Sequence, residues 1–329
     1  MSKVVIIGID GLDPLLIDQW KDSLPNFRSL YENVSEITVE STFPPDSICA
    51  WASIFTGDNP AEHGLIENID YLSKKASDNQ DKSAHIQGKT FWDIAGDKGK
   101  TVCVINPFIA YPSWDVNGTM VSGPVFEGGE TSTYPENIIS EYNLPPLGGM
   151  VDFPEEKTLG KFMNSAKELT VNLADVSLEI YKDKNPDLFF LTFLTLDRIK
   201  HFFWRFTDKN DIYYPGNNSY ENVIKDFYSI FDEIVGSFLR SMDDDSILMV
   251  ISDHGHRRRC SYNLNLNEIL RKKGYLATAG SGPSMMAKKL IEKAKVVTLT
   301  SLSNWGFRTG YIKLPNLFLT GKHSRNRHI

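Results

Sequence analysis

The chain of 329 residues has few cysteines, no excess of basic residues and no long apolar run. Its three cysteines, Cys49, Cys103 and Cys260, are an odd and scattered set, which excludes a disulfide framework and a zinc ribbon. We therefore expect a reducing, cytoplasmic location. No stretch approaches the ~20 apolar residues of a membrane span, and the apolar run at residues 4–7 is too short for a signal peptide.

The net charge of -7 argues against a nucleic-acid or anionic-membrane surface, because those partners require a basic field. Hydrophobic residues make up 41% of the chain and aromatic residues 12%, enough to bury a large core. Composition allows one large α/β domain or two smaller ones, and it does not indicate an oligomeric state.

Three continuous apolar runs predict strands that are buried on both faces, and a weaker run predicts a fourth: residues 4–9, 188–196, 247–251 and 101–105. Amphipathic periodicity and start signals such as Asp13-Pro14 predict helices between them, at residues 14–20, 90–98, 159–181 and 218–242. Helices that alternate with buried strands imply crossovers, so we expect a mostly parallel sheet sandwiched by helices.

The stretch from Ser113 to Glu156 differs, because glycines and prolines interrupt it throughout. We predict irregular loops here. Long loops in a compact enzyme usually form the rim of the active site.

Each of the three strongest predicted strands ends in or just before an aspartate: Asp10, Asp197 and Asp253. The carboxyl ends of parallel strands share one sheet edge, so these carboxylates are expected to gather there. Taken singly, each aspartate is as well explained as a helix cap. Three together indicate a cation site, because clustered carboxylates repel one another without one.

Two histidines accompany these aspartates. His201 lies four residues after Asp197 and would share its face if a helix follows the strand, and His254 directly follows Asp253. Mixed carboxylate and imidazole ligands suit zinc or manganese better than magnesium or calcium.

A nucleophile candidate lies between the first and second of these aspartates. Ser47 follows a proline-rich loop and begins an apolar helix that ends at Gly57. Free amides and the positive end of the helix dipole at this position favour a phosphate and an alkoxide. The alternative is that Ser47 only caps the helix, and without the aspartates that alternative would be preferred.

Four segments resemble the type I phosphodiesterase / nucleotide pyrophosphatase family of the alkaline phosphatase superfamily. They are residues 8–11 (Gly-Ile-Asp-Gly), 44–64, 197–201 (Asp-Arg-Ile-Lys-His) and 252–255 (Ser-Asp-His-Gly). Their order and spacing also match, and the resemblance extends to about residue 275. It implies a single alkaline-phosphatase-like catalytic domain over residues 1–329.

The resemblance implies two divalent metal ions, zinc or else manganese, and assigns ligands to the first. That ion would be held by Asp10, Asp253, His254 and Ser47, and Ser47 would be the nucleophile. Many phosphodiesterases of the family have threonine at that position and the phosphatases have serine, so the residue type does not decide the substrate class.

For the second ion the resemblance implies Asp197 and His201 as ligands. The family usually adds a histidine late in the chain, and Gly321-Lys322-His323 resembles that step, so His323 is the candidate, with His256 or His328 to be tested in its place. Asn68 occupies the place of an amide that donates to a phosphoryl oxygen. The family continues past the position of Ile329, so the domain is expected to be truncated at its C-terminus.

The implied activity is hydrolysis of a phosphodiester or nucleotide pyrophosphate bond in a small molecule, through a phosphoseryl intermediate on Ser47. A sulfatase is disfavoured because its signature is absent around Cys49, and an alkaline phosphatase because Ile48 replaces its arginine. A phosphomutase, a phosphonate hydrolase or a noncatalytic metal-binding fragment remain alternatives.

Overall fold

A computed structural model describes residues 2–33, 38–43, 45–65, 79–124, 130–148, 154–258 and 264–276. The strands in these residues are β1 (Val4–Ile9), β2 (Val102–Ile105), β3 (Gly118–Ser122), β4 (Ser132–Tyr134), β5 (Leu188–Phe193) and β6 (Ile247–Ile251). The α-helices are α1 (Pro14–Trp20), α2 (Pro25–Asn33), α3 (Ser47–Thr56), α4 (Pro60–His63), α5 (Asn79–Ile86), α6 (Phe91–Asp97), α7 (Ile138–Glu141), α8 (Leu159–Lys184), α9 (Thr195–Thr207), α10 (Val223–Leu239) and α11 (Leu266–Lys272).

The strands form one six-stranded sheet in the order β4-β3-β2-β5-β1-β6. All neighbours are parallel except β3 and β4, so the predicted mostly parallel α/β architecture is confirmed. At the carboxyl end Ile9 pairs with Phe193, and Gly8 pairs with Ile251. The residues that follow β1, β5 and β6 therefore emerge side by side at one edge of the sheet.

Both faces of the central strands are covered by helices. In β1, Val5 and Ile7 belong to the core on the face covered by α8 and α10, whereas Ile6 packs into the core on the opposite face, which holds Trp51 of α3 and Trp92 of α6. Burial on both sides explains why these strands have no alternation of apolar and polar residues. Each such fully buried side chain contributes about 1.5–3 kcal/mol to folding.

Helix starts at α1 and α6 follow the local sequence signals. Asp13 caps α1 by accepting from the Leu15 N–H, and Thr90 caps α6 in a reciprocal capping box with Asp93. The predictions for residues 14–20 and 90–98 are thereby confirmed, with α6 one residue shorter at each end.

The prediction of a strand over residues 188–196 is wrong at its C-terminal end. Strand β5 stops at Phe193 and α9 begins at Thr195, so Asp197 lies in the first turn of a helix and not at the end of a strand. The apolar run continues because Leu196 and Ile199 are buried on α9. A short apolar run does not distinguish a buried strand from the start of a buried helix.

Two other predicted segments are corrected. The stretch from Ser113 to Glu156, predicted to be irregular, contains strands β3 and β4 and helix α7. Helix α10 begins at Val223 and not at Asn218, because the Asn218 side chain accepts from the Tyr220 N–H and forms a local turn.

Candidate metal centre and nucleophile

Ser47 is the first residue of α3 and lies at the carboxyl edge of the sheet. The helix cap is Asp46, whose carboxylate accepts from the Ile48 N–H, so the alternative that Ser47 serves as the cap is wrong. The Ser47 hydroxyl is half-buried and its Oγ is 3.0 Å from His254 Nε2. Because Asp46 caps the helix, the Ser47 hydroxyl is not needed as a cap. The positive end of the ten-residue helix favours an ionised oxygen at this position.

Asp10, Asp253 and His254 form the first metal group. Each offers one donor atom, and these atoms lie within 4.8 Å of one another. His254 Nε2 is 3.3 Å from Asp253 Oδ2 and 3.6 Å from Asp10 Oδ1. The structure therefore brings together the four residues predicted for the first ion, with Ser47 in contact with His254.

One oxygen of each carboxylate in the first metal group is fixed by the protein and the other is not. Asp10 Oδ2 accepts from the Trp51 indole at 3.1 Å, and Asp253 Oδ1 accepts from the Gly11 N–H at 3.2 Å. Asp10 Oδ1 and Asp253 Oδ2 are buried and have no hydrogen-bond partner among the described residues. Two buried, unpartnered oxygens that face the same imidazole fit a divalent cation, because a cation satisfies both.

Charge crowding supports the same fit. Burial raises the pKa of Asp10 well above its usual range, and the Asp253 and Asp197 carboxylates raise it further. Burial likewise raises the pKa of Asp253. A bound cation reverses this cost, since it favours the ionised form of each ligand.

Asp197, His201 and His256 form the second metal group, with donor atoms again within 4.8 Å of one another. His201 Nε2 is 3.1 Å from Asp197 Oδ2, one turn earlier on α9, as the four-residue spacing predicts. His256 Nδ1 is 3.3 Å from Asp197 Oδ1. Burial opposes ionisation of Asp197, but hydrogen bonds to the two histidines outweigh it and lower the pKa of this carboxyl.

The structure adds His256 to the second metal group, whereas the sequence interpretation chose His323 and kept His256 and His328 as the residues to test in its place. His256 lies in the loop after β6 and its side chain is largely buried. The centroid of its ring is 5.0 Å from that of His201 and 5.1 Å from that of Trp204. Burial lowers the pKa of His256, which keeps the imidazole in the neutral form that binds metals. The available signal was the step His254-Gly255-His256 directly after the third aspartate.

Two predicted site residues, Asn68 and His323, lie outside the described residues, as does Cys260. Cys49 lies on α3 and is fully buried. None of the helices in the described part of the chain combines the length and the apolar character needed to cross a membrane.

A helix-terminal serine beside two carboxylate and imidazole groups, at the carboxyl edge of a parallel sheet, is an arrangement that fits a hydrolase of esters. The sequence profile of the type I phosphodiesterase / nucleotide pyrophosphatase family matches residues 4–304. The match covers most of the chain, so the chain belongs to this family of phosphoric ester hydrolases. A comparison with curated proteins found no match.

Proposed function

We propose that the protein hydrolyses phosphodiester or nucleotide pyrophosphate bonds of small molecules through a phosphoseryl intermediate on Ser47. The observation that carries this proposal is the Ser47 hydroxyl, 3.0 Å from His254 and beside the unpartnered oxygens of the first metal group. A hydroxyl among cation ligands at the positive end of a helix suits attack on an anionic phosphoryl group.

The reaction takes two displacements at phosphorus. In the first, the Ser47 hydroxyl gives up its proton as Oγ bonds to phosphorus, the bond to the leaving oxygen breaks, and the leaving group takes up one proton. In the second, a water oxygen bonds to the same phosphorus, the Oγ–P bond breaks, and Ser47 regains its proton. The N-terminus of α3 would face the phosphoryl oxygens, and Asn68 stays the predicted side-chain donor to one of them.

Divalent ions, zinc or else manganese, would bind at both metal groups. Ions there would supply Lewis acidity, which would favour the ionised form of the Ser47 hydroxyl and neutralise charge on the phosphoryl oxygens. One ion would be held by Asp10, Ser47, Asp253 and His254, and the other by Asp197, His201 and His256. His323 stays a predicted ligand of the second ion.

The activity is tested with a substrate panel on protein loaded separately with zinc and manganese. The panel contains bis(p-nitrophenyl) phosphate, p-nitrophenyl phosphate, a dinucleotide pyrophosphate and p-nitrophenyl sulfate. We expect the diester or the pyrophosphate to have the highest kcat/KM. Preference for the monoester or the sulfate would refute the proposed substrate class, and no turnover with any compound would favour a phosphomutase, a phosphonate hydrolase or a noncatalytic fragment.

Metal content separates the enzyme from a noncatalytic fragment. About two ions per chain are expected if both groups bind, and one or none would favour the fragment. Trapping of a phosphorylated Ser47 at low pH, detected by mass spectrometry of the peptide, tests the covalent step directly. The cytoplasmic location stays a prediction from the cysteine count.

Zinc titration of histidine variants assigns the second ion. We expect one tight and one weaker binding event in the parent, because the first ion has Ser47 in addition to three ligands. His256→Ala should remove the weaker event alone, and His323→Ala should weaken it if the late histidine is also a ligand. His85→Ala, an exposed histidine outside both metal groups, is the matched control. An unchanged titration in His256→Ala would remove His256 from the ligand set.

A further inference from the structure

Lys200 is a buried lysine, and in the sequence it lies between Asp197 and His201, the two residues that α9 contributes to the second metal group. Among the described residues it is the only lysine or arginine that is buried, with no exposed surface. Its ammonium donates to the Gly11 carbonyl and, at 2.8 Å, to the Tyr228 hydroxyl. Both acceptors are neutral, although the burial of an ammonium is costly and usually requires a carboxylate partner.

Gly11, the residue that Lys200 holds, touches both metal groups. Its N–H donates to Asp253 Oδ1 at 3.2 Å, which orients a carboxylate of the first metal group. Its backbone has a φ of +73°, and a Cβ added there would lie 3.1 Å from Asp197 Cβ in the second metal group. A change in the position of Gly11 would therefore move Asp253 and Asp197 relative to each other.

The second acceptor of Lys200 links the same loop to His256. Tyr228 Oη also accepts from the Asp13 N–H at 2.9 Å, and the Asp13 carboxylate accepts from the His256 N–H at 3.3 Å. Arg257 forms an ion pair with Asp13. The loop between β1 and α1 is thus fixed to α9, to α10 and to the loop after β6 by one connected set of hydrogen bonds.

An apolar side chain would fill the place of Lys200 without the cost of burying a charge. Burial lowers the pKa of Lys200 to about 7, and the Asp13, Asp197 and Asp10 carboxylates oppose that change. The hydrogen bond to Gly11 is what an apolar residue could not provide.

We propose that Lys200 is a positioning residue that fixes the two metal groups relative to each other by holding the Gly11 carbonyl. This inference rests on the proposed function, because it requires that both groups bind an ion. In the described part of the chain the hydrogen bonds of Lys200 Nζ go to Gly11 and Tyr228 and to no residue of either metal group, so its effect on turnover would pass through Gly11, Asp253 and Asp197.

Lys200→Met tests this role, because methionine keeps the length of the side chain and removes the donor. The probes are Mn²⁺, whose paired spectrum in electron paramagnetic resonance depends on the distance between two ions, and bis(p-nitrophenyl) phosphate. We expect Lys200→Met to bind two ions with an altered spin coupling. Its kcat should be about tenfold lower or more and its KM within about twofold of the parent, because a shift of the catalytic groups by about 1 Å or less is costly.

Two further variants separate positioning from stability. Lys200→Gln retains an N–H donor for Gly11 and should restore part of the coupling and of kcat. Tyr228→Phe removes one hydrogen-bond acceptor of Lys200 and keeps the ring packing against Trp20. It should change the spin coupling and kcat in the same direction as Lys200→Met, but by a smaller amount. This variant keeps the inference testable if Lys200→Met does not fold. Lys3→Met is the matched control, because Lys3 bonds Asn185 and Asp243 at the opposite end of β1.

The outcomes separate this inference from the proposed function. A parent protein that binds fewer than two ions refutes the two-ion proposal and this inference with it. If the parent binds two coupled ions but Lys200→Met and Tyr228→Phe leave the coupling and kcat unchanged, the role of Lys200 alone is refuted. A lower unfolding midpoint without a change in coupling would likewise refute positioning and identify a structural lysine.

Discussion

Helix α3 carries two serine–histidine pairs with the same contact distance and different chemistry. Ser47 Oγ is 3.0 Å from His254 Nε2, and Ser53 Oγ is 3.0 Å from His63 Nε2. The two pairs differ in the second nitrogen of the imidazole. His254 Nδ1 is 2.7 Å from the Gly255 carbonyl, whereas His63 Nδ1 accepts from the Leu65 N–H at 3.1 Å.

These partners set opposite tautomers. A carbonyl only accepts, so His254 carries a proton on Nδ1, and Nε2, which faces Ser47 and the carboxylates of the first metal group, is the nitrogen left to bind a cation. A backbone N–H only donates, so His63 carries its proton on Nε2 and donates it to Ser53. The Ser47 hydroxyl is therefore beside an atom that can accept a proton or bind a cation, and the Ser53 hydroxyl is beside neither.

Position along the helix reinforces the difference. Ser47 begins α3 beside the first metal group, whereas the Ser53 carbonyl already accepts from the N–H of Gly57, which ends the helix. The helix dipole therefore favours an alkoxide at Ser47 and does not favour one at Ser53. A short serine–histidine distance does not identify a nucleophile unless the surroundings also favour loss of the hydroxyl proton.

The largest expected effect is on turnover in Ser47→Ala. Removal of the attacking oxygen should lower kcat for bis(p-nitrophenyl) phosphate by about 10³-fold or more, as loss of a covalent nucleophile generally does. Ser53→Ala, on the same helix, is the matched control and should retain kcat within about twofold. Activity of Ser47→Ala within severalfold of the parent would refute the nucleophile assignment.

Replacement of the two histidines should have opposite consequences: His63→Ala should mainly lower stability, and His254→Ala should mainly remove metal binding. His63→Ala leaves the Leu65 N–H and the Ser53 hydroxyl without their partner and opens a cavity, so it should cost about 2–3 kcal/mol of unfolding free energy. His254→Ala should cost less stability in metal-free protein but remove one zinc-binding event. Urea unfolding and zinc titration of both variants measure the pair of effects, and loss of zinc in His63→Ala would contradict the comparison.

Sequence patterns predicted the parts of this site that follow from local rules. Strands β1 and β6 have the predicted bounds because their apolar runs are followed directly by polar residues, Asp10 and Ser252. Residues Asp10, Asp253 and His254 converge as predicted, since parallel strands deliver their ends to one edge. The one-turn spacing of Asp197 and His201 required only that a helix follow β5.

What the sequence did not predict depends on tertiary contacts. The sequence pattern did not reveal the start of α9 at Thr195, because the apolar residues Leu196 and Ile199 on the helix are as buried as the apolar residues of β5. The role of His256 depends on the course of the loop after β6 and on the Trp204 ring, neither of which has a sequence period. Opposite tautomers at His254 and His63 depend on single backbone contacts that no motif records.

The pH dependence of stability sharpens the comparison further. Burial lowers the pKa of His63, although Asp58 opposes the change, so the folded protein favours the neutral ring. The stability that comes from neutral His63 is present above the unfolded pKa of about 6.5 and is lost as the pH falls through the lower folded pKa. Protonation of Nδ1 also breaks the bond from the Leu65 N–H.

We therefore expect the unfolding free energy of metal-free protein to fall between pH 7 and pH 5, and to fall less in His63→Gln. Glutamine keeps an amide that bonds Ser53 but does not titrate. Urea unfolding at several pH values measures the two slopes. Equal slopes in the parent and in His63→Gln would show that His63 does not contribute to the acid sensitivity.

The smallest effect is expected from Cys49→Ser, which changes the buried residue between the two serines of α3. Cys49 is two positions, or roughly 200°, around the helix from Ser47, so its thiol faces away from the metal groups. A serine hydroxyl in this fully buried place should cost about 1–2 kcal/mol of unfolding free energy, and kcat should stay within about twofold.

Cys103→Ser is the matched control, because Cys103 is equally buried in β2 and burial raises the pKa of its thiol to about 12, which keeps it protonated and unreactive. Urea unfolding and turnover of bis(p-nitrophenyl) phosphate should give similar results for the two variants. If Cys49→Ser is as stable as Cys103→Ser and yet inactive, the Cys49 thiol belongs to the active site and α3 has a second reactive residue beside Ser47.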